Sequence, residues 1–532
     1  MSAETVCVVG SGPAGATAAY FLWQAGFDVT VLDGGLMPEP EVASDIADWH
    51  KDQDDEKLIS AATRRAKASQ FTKPELAEKL FHGSDFVYRD TDRMLLAGVE
   101  GADIRTSLAL GGLSNVWGAA SLPITARDIV GWPITYEDLA PHFEALDEII
   151  EICGENDGLS SLFGGNVRPP TFALGLQGAA LLKDLTRRHE TLAARGMVFG
   201  RARVAVGRKY SQEPEGCVAC GHCMIGCPHR AIFNAAFIVE SLRGRERFTY
   251  RGGCVVDRVA EDDECVSVQG RGLADDVPFD EKFARVFVAA GAVSTTAIIS
   301  RSRPNSGAPI KLRDTQHFVF PLMRFRGTKD ATIEKTNRLA QAFVEIDDPT
   351  LCDHLVHLQL YGYNDIFMDA LKEKLGAINS VAPFAINLLA RHAMIIQGFL
   401  HSDYSGSVNL SFSRSGKIQL TGEPNAQAPK IARNAQKSIA RSWREFGGIP
   451  IPGQIIVPPP GASRHLGASL PMSATPTGNE TDTLGRPVGL SRVHAVDASV
   501  LPSIPASTIT YSAMANAARI VDQVAQLSDA SA

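Results

Sequence analysis

Apolar residues along this chain follow two different periods. Near the start, Thr5-Val6-Cys7-Val8-Val9 is a continuous apolar run of the kind that forms a parallel strand buried on both faces. Gly10-Ser11-Gly12-Pro13-Ala14-Gly15 follows at once, residues 16–25 are rich in helix formers, and Gly26 closes that helix. Asp28-Val29-Thr30-Val31-Leu32-Asp33 then predicts a second strand, which completes a βαβ unit. Arg285 to Ala292, with Gly291 at its end, predicts another buried strand returning to the same sheet. Between about residues 316 and 420 the period shortens. Phe318-Val319-Phe320, Gln341 to Ile346, Leu355 to Leu360, Gly406 to Leu410 and Lys417 to Leu420 alternate in polarity, with few helices between them. That pattern predicts an antiparallel sheet and hence a second domain.

The fold class expected is therefore α/β, a Rossmann-like dinucleotide-binding domain plus an α+β substrate domain with an antiparallel sheet. Residues 1–130, 200–315 and 455–532 are assigned to a discontinuous first domain. Residues 131–199 and 316–454 are assigned to the substrate domain and a cap. Residues 36–90 are polar and helical in pattern, a solvated excursion, and Trp132 to Leu139 opens a helix with Thr135 as cap and Asp138 at its third position. Gly376 to Leu400 is the longest apolar candidate, but Pro383, Arg391 and His392 break it below the ~20 residues of a membrane span. A packed amphipathic helix pair is expected there in preference to a surface for a membrane or an electron-accepting partner.

Composition narrows the function classes. Hydrophobic residues at 45% and charged residues at 21% suit a globular chain, and a formal charge of −8 without basic runs argues against nucleic acid. Met1 to Thr5 carries neither a positive region nor a cleavable apolar segment, so cytoplasmic localisation is expected unless a partner exports the chain.

In the motif at residues 10–15, Gly10 makes the tight turn, Gly12 admits a pyrophosphate close to the backbone, and Gly15 lets helix and strand pack. The helix N-terminus offers N–H groups and a partial positive charge to the phosphates. Asp33 is placed to accept from a ribose hydroxyl, and Val256 is a further expected cofactor contact.

Four stretches in order resemble the glucose-methanol-choline oxidoreductases across essentially the whole chain. They are the glycine motif, Leu110-Gly111-Gly112-Leu113-Ser114-Asn115-Val116-Trp117-Gly118, Ala289-Ala290-Gly291-Ala292, and the C-terminal His465-Leu466-Gly467 through Asp497 to Ala515-Asn516-Ala517. The resemblance implies FAD, with Gly112, Ser114, Asn115, Trp117 and Gly118 near the isoalloxazine, Gly291 in the returning strand's turn, and Asp497 near the ribityl-pyrophosphate. It also implies a catalytic histidine that accepts the proton of a substrate hydroxyl while hydride leaves carbon, and His465 matches it. A neutral imidazole with an ordinary pKa of ~6.5 suits that task. The family's second histidine or asparagine falls where this chain has Ala506, leaving Ser507 or Thr508 to donate at most a hydrogen bond, or a base to come from another segment.

Nine cysteines are present, and Cys7, Cys153, Cys254, Cys265 and Cys352 have the scatter of buried thiols. Cys217, Cys220, Cys223 and Cys227, followed by Pro228, instead carry the C-x2-C-x2-C-x3-C-P spacing of bacterial ferredoxins. Zinc is disfavoured because its structural sites usually place two such pairs well apart. The alternatives are a three-iron or four-iron cluster, or thiols that are structural or form a labile disulfide. Cys223 to Pro228 with Ala231 to Asn234 also resembles FAD-dependent sugar dehydrogenases that carry an iron-sulfur cluster.

The function expected is FAD-dependent oxidation of an alcohol, sugar or polyol, with electrons passed to a protein or quinone acceptor other than O2. An oxidase that makes peroxide, and a non-redox, lyase or silent flavoprotein of the same fold, are the alternatives.

Overall fold

The N-terminal apolar run becomes the central strand of a five-stranded sheet. In this computed structural model, which describes residues 4–70, 79–91, 96–303, 308–364, 383–414 and 416–531, the strand Thr5–Val9 is flanked by Asp28–Leu32 and Arg285–Val288. Val493–Ala495 and Phe248–Arg251 form the two edges, and every pairing is parallel. Val6, Cys7 and Val8 are completely buried, because helices cover both faces of such a sheet. The helix Pro13–Gln24 follows the glycine motif, and the final helix Ile509–Ser531 packs along it.

The strands expected after residue 316 form a six-stranded antiparallel sheet, in the order Gly448–Pro450, His317–Arg324, Ala393–Phe399, Val356–Tyr361, Ala342–Ile346 and Met197–Arg201. One face of it packs against the helices Leu176–Thr186 and Ala428–Arg441 through Leu181, Leu358, Ile396 and Ile439. Pairing crosses the expected domain limits. Met197–Arg201 lies in this sheet, while Leu96–Glu100 and Ile310–Arg313 join Ser407–Phe412 and Ile418–Glu423 in a four-stranded sheet.

The region from Gly376 to Leu400 differs from its expectation. Residues 376–382 lie outside the described residues, Pro383–His392 is helical, and Ala393–Phe399 is a strand. Its Ala-Met-Ile-Ile-Gln-Gly-Phe sequence is β-branched and alternates, so pairing on both sides wins over helix formation. Among the described residues no helix is long and apolar enough to cross a membrane. The helices Pro40–Asp52 and Asp55–Ala68 occupy the excursion after residue 36, and Thr135 and Asp138 form the reciprocal cap expected of them.

Candidate active site

A cavity of about 560 Å³ runs between the two sheets, within the size range of ligand-binding clefts. At its parallel-sheet end the wall is backbone. Gly10 adopts φ +97°, and a Cβ there would stand 2.5 Å from the Ala289 carbonyl oxygen. A Cβ on Gly15 would stand 2.2 Å from the Gly10 carbonyl oxygen, so Gly15 serves helix-strand contact and does not line the cavity. The helices Pro13–Gln24 and Ala292–Arg301 have glycine N-caps, Gly12 and Gly291, without side-chain capping bonds. Together with the start of the final helix, three helix N-termini meet the cavity, and their partial positive charges favour an anionic group such as a pyrophosphate.

Asp33 sits on this wall. It accepts from the Ser11 N–H (3.1 Å), the Gly35 N–H (3.0 Å) and the Tyr250 hydroxyl (3.0 Å), yet burial still pushes its carboxyl up to about 6. Asp497 accepts from the Thr295 hydroxyl (2.6 Å) and the Ser499 N–H (3.0 Å), and burial raises it too. Val256 and Gly291 also face the cavity.

The loop at 111–118 crosses the middle. Gly111 N–H donates to Ser11 Oγ (3.0 Å), which ties the loop to the glycine motif, and Gly112, Ser114, Trp117 and Gly118 line the cavity. Asn115 does not. Its amide donates to the Leu110 and Gly112 carbonyls (2.9 and 2.7 Å) and accepts from Asn234 (2.7 Å), so it braces the loop from behind.

The far end is lined by side chains. His465 stacks on Phe399 (5.2 Å between centroids), its Nδ1 lies 3.0 Å from Thr315 Oγ1, and enclosure by protein pulls it down to about 4. It is therefore a neutral imidazole at neutral pH. Thr508 reaches the cavity, but its hydroxyl oxygen accepts from the Leu122 N–H (3.0 Å); Ser507 does not reach it, and its buried Oγ has no partner among the described residues. Ala506 is buried.

Sequence reasoning missed the opposite wall, where the antiparallel sheet contributes His317, Gln359, Tyr361 and Gln397. All six residues of Val356–Tyr361 are buried, and the polar ones alternate: His357, Gln359 and Tyr361 share one face. They form a directed chain. Tyr361 O–H donates to Gln359 Oε1 (2.7 Å), the Gln359 amide lies 3.1 Å from His357 Nε2, and His357 Nδ1 lies 2.6 Å from the fully buried Glu345 carboxylate. Polar residues at every second place of an otherwise apolar strand were the available signal.

The cysteine run lies behind the 111–118 loop. Arg338 N–H points at Cys223 Sγ (3.4 Å), Ala231 N–H at Cys227 Sγ (3.3 Å), and the Asn337 amide at Cys217 Sγ (3.7 Å). Lys79, which burial lowers to about 8, stands beside Cys223 and Cys227 and donates to the Trp117 carbonyl (2.9 Å). The Trp117 indole donates to the Phe233 carbonyl (2.8 Å), so the cysteine segment and the cavity loop share a wall. All nine cysteines are free, and Cys265 is partly exposed where a buried thiol was expected. Thiolates around one zinc at ~2.3 Å would approach one another to about 4 Å. Among the described residues, no three of these sulfurs lie within 4.8 Å of one another.

A family model described as an NAD(P)-binding Rossmann-like domain matches residues 8–36, the βαβ unit. The 6'''-hydroxyparomomycin C oxidase of Streptomyces lividus is 29% identical over 160 residues, 28% of this chain and 23% of that protein, so the chain matches less than a quarter of that relative's length. Among solved structures, pyridoxine 4-oxidase from Mesorbium loti superposes with a TM-score of 0.60 at 14% identity, over 98% of this chain and 99% of the other. A fungal aryl-alcohol oxidase superposes with a TM-score of 0.53 at 13% identity, over 99% and 100%. The chain shares the fold of both.

Proposed function

We propose that the chain is an FAD-dependent oxidoreductase of the glucose-methanol-choline type that oxidises an alcohol group. The observation that carries this reading is one cavity with three helix N-termini at one end, two of them glycine-capped, and a neutral, oriented imidazole at the other. The glycine motif, Asp33 and Asp497 would hold the FAD, which supplies a hydride acceptor when bound. In the His465 tautomer whose Nδ1–H donates to Thr315 Oγ1, Nε2 keeps its lone pair for a substrate hydroxyl. Burial leaves this imidazole uncharged but makes it a weaker base than an ordinary histidine, so proton transfer to it depends on stabilisation of the negative charge that develops on the substrate oxygen. Phe399 fixes the ring and excludes water from one of its faces.

The cysteine segment is read as an iron-sulfur site that accepts electrons one at a time from the flavin side. Backbone N–H groups aimed at Cys223 and Cys227, the Lys79 ammonium beside them and the C-x2-C-x2-C-x3-C spacing suit a multi-iron cluster with Cys217, Cys220, Cys223 and Cys227 as candidate ligands. An acceptor other than O2 goes with this reading. The named relatives are all oxidases, which favours a second reading in which O2 takes the electrons and the cysteines are structural.

Anaerobic addition of primary alcohols, with flavin absorbance followed, tests the first claim; no bleaching by any alcohol would remove it. Iron and acid-labile sulfide in anaerobically purified protein test the second. Iron near cluster stoichiometry with slow peroxide formation supports the relay, whereas iron-free protein that makes peroxide rapidly in air supports the oxidase.

A further inference from the structure

The C-terminal segment delivers one imidazole, His465, to the cavity, and a second imidazole, His317, reaches the same chamber from the facing wall. We propose that His317 is this second catalytic imidazole, supplied by the antiparallel sheet, and that it donates a hydrogen bond to the substrate oxygen while His465 takes the hydroxyl proton. The proposal rests on the flavoprotein reading of the site.

Three observations carry it. His317 opens its strand directly opposite Phe399, with ring centroids 6.1 Å apart, and His465 stacks on the same Phe399 at 5.2 Å, so one aromatic ring seats both imidazoles. Thr315, two residues before His317, holds Nδ1 of His465, so a single segment sets the position of both rings. Finally, His317 is 6% exposed and its Nδ1 is buried without a hydrogen-bond partner among the described residues. His82, His229, His354, His401 and His494 also carry a buried ring nitrogen without a partner among the described residues, but of these histidines only His317 lines the cavity.

The orphaned nitrogen also sets the direction of the bond. A buried N–H without an acceptor is rarer and costlier than an under-used lone pair. Nδ1 therefore keeps the lone pair, and the proton sits on Nε2, the nitrogen left to the cavity. His465 is the complement, its Nδ1–H given to Thr315 and its Nε2 bare. A hydroxyl between them donates to His465 and accepts from His317. In the reaction the O–H bond would break as an N–H bond forms on His465, the C–H electron pair would leave as hydride to the FAD the site would hold, which supplies the two-electron acceptor, and C–O would become C=O. Negative charge grows on the oxygen before the hydride has left, and there the His317 N–H is worth most. Asp103, Arg464 and His465 are the charged and titratable groups that face His317.

The test compares His317→Ala, His317→Gln and His465→Gln holoproteins for FAD content, melting temperature, alcohol-driven bleaching with benzyl alcohol and pyridoxine, and affinity of the flavin for sulfite. Sulfite adds to oxidised flavin as an anion and reports a nearby donor without any substrate. His317→Ala is expected to slow bleaching about 10²-fold and to loosen sulfite about tenfold at unchanged FAD content. His317→Gln, which keeps an N–H donor, recovers most of both, while His465→Gln loses bleaching and recovers nothing. Wild-type behaviour in His317→Ala, or His317→Gln no better than alanine, would overturn the proposal. If alanine fails to fold, the glutamine variant matching wild type still supports the donor role, and its falling to the His465→Gln level overturns it. A wild type that bleaches with no alcohol but whose sulfite affinity depends on His317 refutes the proposed function and leaves the donor in place.

Discussion

The parallel-sheet wall of the cavity meets a ligand almost entirely with backbone, through Gly10 to Ala14, the turn at Gly291 and three helix N-termini. The antiparallel wall meets it with side chains, His317, Gln359, Tyr361 and Gln397, each on a strand whose other face is apolar core. Backbone recognition tolerates any side chain that leaves space and fails when space is filled. Side-chain recognition depends on orientation, and here orientation comes from a second layer, Glu345 behind His357 and Thr315 beside His465. The first wall suits a group common to many enzymes, the second a substrate that differs among them.

Filling space on the backbone wall should have the largest effect. Gly15→Val places atoms inside van der Waals contact of the Gly10 carbonyl, and we expect protein that is flavin-free or largely unfolded, read as the flavin-to-protein absorbance ratio and by calorimetry. A variant that retains full FAD would show that the two walls do not divide as described. At the far end of the cavity, His465→Gln should keep its FAD while anaerobic bleaching slows by about 10²- to 10⁴-fold. Glu345→Gln should act more mildly. Loss of the charge that orients His357 and, through it, Gln359 should cost about 1–3 kcal/mol of stability and raise KM more than it lowers kcat. An unchanged KM beside an unchanged melting temperature would remove the second layer from the comparison.

The last effect is in pH, and the two histidines and Asp33 contribute to it with opposite signs. His317 and His465 titrate at about 3 and about 4 in the folded chain. The unfolded chain therefore binds protons first as pH falls below ~6.5, and stability present at neutral pH is lost towards pH 4 by up to about 1.4 kcal/mol per unit for each histidine. Asp33, held at about 6, runs the other way: its stabilising proton is present at low pH and lost as pH rises through about 6. Asp33→Asn should steepen the loss of melting temperature between pH 6.5 and 4.5, and His465→Gln should flatten it. The reverse order would show that these groups are not in the environments assigned to them.

How much of this was legible in the chain follows the same division. The glycine motif, the strands around it and Asp33 are local, and their spacing alone brings them together, because a βαβ unit of thirty-odd residues has one way to fold. His465 was found through resemblance, and the structure adds the Thr315 bond and the Phe399 stack that make it neutral and oriented. Asn115 was placed against the cofactor because its neighbours are there; a turn of helix points it backward onto Asn234 instead. Ser507 likewise sits one residue from the cavity-facing Thr508 and turns away from it.

By itself the sequence determined the two periods of hydrophobicity, hence one parallel and one antiparallel sheet, and the chemistry held within short runs, the phosphate-binding turn and the four cysteines. Only the tertiary structure decided the face of the antiparallel sheet. Strand register places His317 against Phe399, Phe399 against His357 and His357 against Glu345, residues far apart in the chain that no local spacing connects. Cross-strand pairing is non-local, and shifting any one of those strands by a single residue would have turned its polar face into the core and its apolar face towards the cavity.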